Sequence, residues 1–284
     1  MDEELKVLAH KIVDSISRKV KKASSTDFYK FESSISIGAG GDVTKFVDKF
    51  AEDVAIGILN KSKKKVNLLS EEAGFINHDS NYTFVLDPID GTRNAYRGIP
   101  FYAVSLAIGK SKMSDVEYAI VKNIPTGDVF TAEKGHSAFL NKKRIGVPEV
   151  PHKEPLSSLV LGINFDKLTI SLAKKNKVRS LGSASLEMCM VAIGALDFYV
   201  IGKEYIRVID IAASTLILRE AGGFVKNIFG EELDMPFNLD ERSSVVAACS
   251  EELIKKIISE HLKWILFTNF CLLKNQITIL KIQT

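Results

Sequence analysis

One stretch constrains the fold of this chain more than any other. The β-branched and large apolar residues at 83–86 predict a buried strand. Pro88 has no amide hydrogen to give to a continuing ladder, so we expect the strand to end at Asp87. Ligand sites in open α/β sheets favour the carboxyl ends of strands. The sequence therefore predicts a carboxylate that projects into a crevice.

A second carboxylate, Asp90, follows Asp87 after a tight Pro-Ile turn, with few basic neighbours. Such carboxylates repel each other unless a cation lies between them. Mg²⁺ prefers oxygen ligands and is commonly completed by substrate phosphate. Gly91 allows a close approach of the backbone, and Thr92 offers a hydroxyl beside the ion. The stretch predicts a magnesium site, and its structural alternative is an Asp-Pro turn with a capping carboxylate and no metal.

A covalent aspartyl-phosphate is a second alternative. Phosphatases of the haloacid dehalogenase type carry Asp-x-Asp-Gly-Thr after a strand, with the first Asp as nucleophile. Here the spacing is Asp-x-x-Asp-Gly-Thr and the motif lies well inside the chain. The covalent route is therefore disfavoured.

Composition excludes several classes of protein. With 284 residues, 46% of them hydrophobic, the chain can bury a large core. The 38 basic and 35 acidic residues give a net charge of +3, which is no sign of nucleic-acid binding. Three cysteines without paired spacing indicate neither a disulfide framework nor a zinc site, and they fit a reducing cytoplasm. The acidic start at 1–4 is unlike a signal peptide, so no export is expected.

The first half of the chain, 1–150, reads as an α+β unit. Apolar periodicity predicts helices over 5–20 and 46–58, with a glycine-rich loop between them that contains Asp42. A strand at 66–69 leads to Glu71, and short runs between 102 and 140 predict an antiparallel meander. An exposed Glu pair at a helix start is the structural alternative for Glu71 and Glu72.

The second half, 151–262, begins after a proline-rich boundary near position 150. We predict strands near 159–161 and 197–200, helices near 168–174 and 186–195, and a turn at 203–205. Asp210 opens a further helix, where a plain N-cap is the structural alternative, and the helix closes at 221–223. The apolar tail, 263–284, is too interrupted to span a bilayer; an oligomer interface and a membrane surface stay open for it.

The stretch from Asp87 to Asn94 fills every position of Asp-Pro-[Ile/Leu]-Asp-Gly-Thr-x-Asn, the signature of the inositol monophosphatase and fructose-1,6-bisphosphatase superfamily. The chain resembles that superfamily over roughly positions 5 to 260. Glu71 and Asp210 match its other acidic elements in order. Ile209 and Ser214 stand where the family form has Trp and Gly. The archaeal-type dual-specificity sugar phosphatases of this superfamily tolerate an aliphatic residue at the Trp position, so the chain resembles that branch.

The resemblance implies a layered α-β-α-β-α sugar-phosphatase fold of the α+β or α/β class. It also implies two or three bound Mg²⁺ ions and water as the direct nucleophile, activated by the metal. The metal ligands it implies are Glu71, Asp87, the Ile89 carbonyl, Asp90 and Asp210. The catalytic residues it implies are Glu71, Thr92 and Asp42, with the Thr92 hydroxyl bonded to Glu71. Substrate contacts would come from Asp90, Gly91, Thr92, Arg179, Ser183, Ala184, Lys203 and Glu204.

The predicted activity is Mg²⁺-dependent hydrolysis of inositol-1-phosphate, fructose-1,6-bisphosphate or both. Two alternatives stay open: a nucleotide phosphatase of the 3′-phosphoadenosine type, and a non-catalytic metal-binding interaction protein. The expected partner is a small phosphorylated polyol or sugar, with no nucleic acid and no membrane. A cytoplasmic homodimer is expected.

Overall fold

The computed structural model describes residues 1–26, 34–37, 43–149, 152–161 and 166–263. The helices are α1 Glu3–Thr26, α2 Phe46–Asn60, α3 Thr92–Arg97, α4 Lys167–Lys175, α5 Ala184–Ala192, α6 Val208–Glu220 and α7 at 251–263. The strands of the first half are β1 Ser34–Ile37, β2 Val43–Lys45, β3 Asn67–Ser70, β4 Gly74–Ile76, β5 Thr83–Asp90, β6 Ala103–Gly109, β7 Tyr118–Asn123, β8 Val129–Glu133, β9 Ala138–Leu140 and β10 Lys143–Ile145. Those of the second half are β11 Leu156–Leu159, β12 Lys177–Arg179, β13 Phe198–Ile206, β14 Phe224–Lys226 and β15 Ser243–Ala248.

The larger sheet has eight strands in the order β10-β9-β8-β7-β6-β5-β3-β4. Strands β6 to β10 form the predicted antiparallel meander, and β5 pairs in parallel only with β3. Strands β1 and β2 pair as a separate antiparallel ribbon. The parallel pairing sets Ser70, the last residue of β3, beside Leu86 of β5, so Glu71 and Asp87 come next on neighbouring segments.

Alternating residues of β5 face two different cores. Phe84 and Leu86 pack with the apolar faces of α1 and α2, whereas Val85 faces the core shared with α5 and α6. This alternation is what a strand covered on both sides requires, and it accounts for the apolar run from Phe84 to Leu86. The large sheet is therefore a buried layer between helices.

The smaller sheet has five strands in the order β12-β11-β13-β15-β14. Helices α5 and α6 lie between the two sheets, and α4 and α7 pack on the outer side of the smaller one. Helix α6 is buried from Val208 to Leu218, because it is covered by a sheet on each side. The predicted layered α-β-α-β-α fold is confirmed.

Two local predictions were wrong. Strand β5 does not end at Asp87 but runs through Pro88 to Asp90, and its register with β6 shifts between Asp87 and Asp90. Pro88 is accommodated because it lies within this irregularity, where the regular ladder is interrupted. Lys203 and Glu204 lie within β13 rather than in a turn; its pairing with β15 is also irregular between Ile201 and Ile206.

The division at position 150 into two halves stays a prediction, since the core that holds α5 and α6 also includes residues of the large sheet. Within the described ranges, no helix combines the length and the apolar character that a bilayer crossing needs. The tail at 264–284 lies outside the described residues.

Candidate active site

Asp87 and Asp90 are both buried at the end of β5. The Ile89 amide donates to Asp87 Oδ1 at 3.0 Å, so the irregular end of the strand holds this carboxylate. The Ile89 side chain is buried in the core, which leaves only its backbone for the site.

The start of α5 holds Asp90. Its Oδ2 accepts from the Ser183 hydroxyl at 2.6 Å and from the Ser185 amide and hydroxyl at 2.7 and 2.5 Å. Its Oδ1 accepts from the Ala184 amide at 3.2 Å. These amides are the first of a helix, where the dipole favours a negative charge. Ser183 and Ala184, predicted as substrate contacts, thus bind Asp90 in this structure.

Glu71 and Asp210 come from different layers and meet at Arg207. Glu71 lies in the turn between β3 and β4, not at a helix start, and its Oε1 is 2.6 Å from Arg207 Nη1. Asp210 is the third residue of α6, and its Oδ1 is 3.1 Å from Arg207 Nη2. The N-cap of α6 is Arg207, whose backbone amide donates to Asp210 Oδ2 at 2.8 Å. The Asp210 carboxylate therefore caps the helix from inside the first turn.

The four carboxylates influence one another. Burial raises the pKa of Glu71 to about 7, and the charge of Asp210 adds to this while Arg207 opposes it. Burial, followed by the charges of Asp90, Glu71 and Asp210, raises the pKa of Asp87 well above its usual range. Burial also raises the pKa of Asp90 to about 6, although the serine hydrogen bonds lower it. The residues predicted as metal ligands form one electrostatic cluster.

A buried carboxylate below the cluster fixes the turn that carries Glu71. Glu52 Oε1 accepts from the amides of Glu72 and Ala73 at 3.2 and 3.1 Å and from the Ser70 hydroxyl. Glu52 is only 1% exposed. The turn is thus tied to α2, which gives the Glu71 backbone a fixed position.

Thr92 contacts a different acid from the one predicted. Its hydroxyl lies 2.9 Å from Asp48 Oδ1 and 3.0 Å from the Ile89 carbonyl, and these two contacts replace the predicted hydrogen bond to Glu71. Asp48, in the first turn of α2, is buried. Asp42, the residue predicted for this catalytic role, lies outside the described residues.

Gly91 is required by its surroundings. Its φ of 91° is in the left-handed region, and a Cβ there would lie 3.1 Å from the Gly182 carbonyl and 3.3 Å from Ser183 Cβ. The end of β5 therefore approaches the loop before α5 closely, as the sequence predicts for this glycine.

Three predicted substrate residues are not gathered at the cluster. Arg179 is exposed, and its guanidinium donates to the Val178 carbonyl at 2.9 Å. Lys203 and Glu204 are exposed on β13. Their assignment to substrate binding stays a prediction.

The donor chemistry of the cluster fits Mg²⁺. Four carboxylates and a backbone carbonyl are hard oxygen ligands, and their buried charges require a counter-cation. As their side chains stand, no three Asp, Glu, His or Cys residues in the described ranges converge closely enough to hold one ion together. Arg207 lies among the carboxylates and is bonded to two of them.

Three residues of the site, Arg207, Ser185 and Glu52, have no role predicted from the sequence. Arg207 was detectable as a basic residue three positions before a carboxylate at a helix start. Ser185 extends the Gly-Ser-Ala segment by one polar residue. Glu52 had no signal, because a single Glu on a helix is ordinarily solvated.

A model of the inositol monophosphatase family matches residues 1–263. A fructose-1,6-bisphosphatase of Pyrococcus furiosus is 40% identical over 225 residues, which are 79% of this chain and 86% of the relative. A bifunctional NADP phosphatase/NAD kinase of Methanococcus maripaludis is 37% identical over 273 residues, which are 88% of this chain but 47% of the relative. A solved structure described as an inositol monophosphatase–fructose 1,6-bisphosphatase superimposes with a TM-score of 0.80 and 31% identity, covering 92% of this chain and 100% of that chain. The chain therefore belongs to the inositol monophosphatase family and is a phosphatase.

Proposed function

We propose that the chain is a Mg²⁺-dependent phosphomonoesterase that hydrolyses inositol-1-phosphate and fructose-1,6-bisphosphate. One observation carries the metal dependence: carboxylates from three distant segments, at positions 71, 87–90 and 210, lie together between the large sheet and the starts of α5 and α6, where strand pairing aligns the first two and Arg207 bridges Glu71 and Asp210. Such a cluster is costly to bury unless it serves to bind a cation.

The ligands proposed for the ions are Glu71, Asp87, the Ile89 carbonyl, Asp90 and Asp210. When bound, Mg²⁺ supplies positive charge that stabilises the charge developing on phosphate and makes water more acidic. Asp90 keeps its orientation because the start of α5 donates to both of its oxygens. Glu71 keeps its position because Glu52 holds the turn beneath it.

Thr92 and Asp48 are the proposed pair for handling the proton of the attacking water. If the Thr92 hydroxyl donates to Asp48, its oxygen lone pairs are free to accept from water, and Asp48 can receive the proton through the hydroxyl. This pair takes the place of the predicted Thr92–Glu71 pair. Gly91 and Thr92 remain the proposed backbone contacts of the phosphate.

The two sugar and polyol substrates are proposed because relatives across most of the chain carry these names. The Pyrococcus relative is named a fructose-1,6-bisphosphatase, and the solved structure carries both activities in its description. A nucleotide phosphate is the second candidate, since the Methanococcus relative is named in part an NADP phosphatase. A non-catalytic role has less support, because all four proposed carboxylate ligands are present.

The test is release of inorganic phosphate from inositol-1-phosphate, fructose-1,6-bisphosphate and NADP, each with Mg²⁺ and with excess EDTA. We expect Mg²⁺-dependent release from the first two substrates. Release only from NADP would move the assignment to a nucleotide phosphatase. Equal release with EDTA would contradict the metal dependence.

The homodimer and the cytoplasmic location implied by the resemblance stay predictions. The two described cysteines, Cys189 and Cys249, are buried free thiols, which is consistent with a reducing compartment.

A further inference from the structure

Arg207 is a buried cation in the middle of the carboxylate cluster. Its side chain is 12% exposed, and those of Glu71 and Asp210 are 14% and 11% exposed. Burial alone would lower the pKa of Arg207, but the charges of Asp210 and Glu71 outweigh it and raise the pKa above its ordinary value. The guanidinium therefore stays charged at every relevant pH.

The guanidinium forms ion pairs with two carboxylates that are proposed metal ligands. Nη1 contacts Glu71 at 2.6 Å, and Nη2 and Nε contact the two oxygens of Asp210 at 3.1 and 3.3 Å. The Arg207 backbone amide also donates a hydrogen bond to Asp210 Oδ2. A metal ion bound to Asp210 would share a carboxylate with the guanidinium, so two positive centres would lie at neighbouring positions.

Arg207 also connects two layers of the fold. Glu71 belongs to the edge of the large sheet, whereas Asp210 belongs to the helix between the sheets. A planar fork with several donors can bridge two carboxylates in this way, and a lysine ammonium would not bind both with the same geometry. The contact thus depends on arginine rather than on positive charge alone.

We propose that Arg207 is the resident cation of the carboxylate cluster, which binds Glu71 and Asp210 in the metal-free enzyme and leaves Asp210 when a divalent ion binds there. Arg207 is then a positioning residue that sets the affinity for this ion. The inference rests on the proposed Mg²⁺ dependence. It predicts that the arginine stabilises the metal-free protein and weakens metal binding.

The first experiment measures Mn²⁺ binding by calorimetry and thermal unfolding in EDTA for wild type and Arg207→Gln. We expect Arg207→Gln to bind Mn²⁺ at least about tenfold more tightly, because a neighbouring positive charge is removed. Its metal-free form should unfold at a lower temperature, since the carboxylates lose their counter-charge. The control is Arg219→Gln, which removes an exposed ion pair with Glu232 from the same helix and should change neither quantity much.

A second experiment follows Arg207 itself and keeps the inference testable if the Gln variant does not fold. The Nε–H signal of Arg207, assigned by its loss in Arg207→Lys, is recorded by NMR as Mg²⁺ is added. We expect a large shift of this signal that saturates with the binding curve. A signal unchanged by saturating Mg²⁺ would overturn the inference, as would Mn²⁺ affinity in Arg207→Gln that is equal to or weaker than that of wild type.

The wild-type protein separates the two possible failures. If it binds no Mn²⁺ and releases no phosphate, the proposed function fails and the role of Arg207 falls with it. If it binds Mn²⁺ and hydrolyses substrate while Arg207→Gln binds no more tightly, only the role of Arg207 is wrong.

Discussion

Asp90 illustrates how a buried carboxylate is kept ready to bind a cation. Burial raises its pKa to about 6, which works against the charged form. Hydrogen bonds from Ser183 and Ser185 favour the charged form. The balance leaves a carboxylate that is ionised at neutral pH and fixed in direction by the start of α5.

The change Asp90→Asn is expected to abolish most turnover and leave the fold intact. The amide keeps the size of the side chain and one acceptor for the serines, but it loses the charge that binds a cation. A loss of about 3 kcal/mol in transition-state stabilisation corresponds to a roughly hundredfold lower kcat. In EDTA the variant should unfold at or above the wild-type temperature, because a buried charge is removed.

The matched control is Asp234→Asn, which lies at the surface and pairs with Lys112. It should keep near wild-type turnover. Activity of Asp90→Asn within tenfold of wild type would contradict the assignment of Asp90 as a metal ligand.

Individual site residues differ in how far the sequence could predict them. Asp87 and Asp90 follow from a local pattern, an apolar run closed by Asp-Pro-Ile-Asp. The pairing of Thr92 with Asp48 does not, because it depends on how α2 lies against the end of β5, 44 residues away along the chain. Arg207 was missed since its partner Glu71 comes from another layer.

At the scale of elements, one side chain ties the helix after β5 to the loop before α5. Asn94 lies in α3, and its Nδ2 donates to the Phe101 carbonyl at 2.8 Å and to the Leu181 carbonyl at 2.7 Å. The residue is buried. This clamp sets the separation between Asp90 and the Ser183 segment that holds it.

The change Asn94→Ala is expected to lower the free energy of unfolding by about 1–3 kcal/mol, because the carbonyls of two half-buried residues, Phe101 and Leu181, lose their donor. The loop at 181–183 should also be less fixed, so the KM for substrate and Mg²⁺ should rise. Urea unfolding and steady-state kinetics measure the two effects. Asn77→Ala, which removes an exposed amide bonded to Asp79, is the control and should cost much less. An equal loss in both variants would contradict the clamp.

Elements with one buried face were predicted from the periodicity of their apolar residues. Elements covered on both sides lack this periodicity and had to be predicted from other features of the sequence. The 3.6-residue periodicity identified α1 and α2, since each has a solvent face. Helices α5 and α6 are apolar or small nearly all round because they lie between two sheets, so they carry no such periodicity. The extension of β5 through Pro88 was missed, because propensity rules do not foresee an irregular register.

At the scale of the whole molecule, the layered fold concentrates acidic charge in its interior. The end of the large sheet supplies Glu71, Asp87 and Asp90, and the middle helix layer supplies Asp210. The starts of two helices and the Arg207 guanidinium lie against these carboxylates and compensate their negative charge. The stability of the metal-free protein should therefore depend on pH more than its near-neutral net charge suggests.

The sign of this dependence follows from the raised pKa values. Glu71 has a pKa of about 7 in the folded protein against 4.5 in the reference state, and Asp90 has about 6 against 3.8. Between its two pKa values, each group is protonated more often in the folded state than in the unfolded state. The contribution of these groups to the free energy of unfolding is therefore fully present below pH 4 and is lost as the pH rises through 6 to 7. Burial lowers the pKa of His10 and of His261, which gives the opposite slope below about pH 6.5.

Comparison with Glu71→Gln isolates the contribution of the cluster from that of the histidines. Between pH 5 and pH 8 in EDTA, wild type should lose about 2 kcal/mol of stability relative to this variant, on the order of 5 °C in Tm. Saturating Mg²⁺ should restore the stability that wild type has lost at pH 8 and have little effect at pH 5, because it binds only the deprotonated cluster of the folded protein. Thermal unfolding monitored by circular dichroism checks both, with the exposed Glu241→Gln as the control that should follow wild type. Parallel curves for wild type and Glu71→Gln across this range would mean that the buried acids keep their ordinary pKa values, and the cluster would then impose no electrostatic cost for a metal ion to relieve.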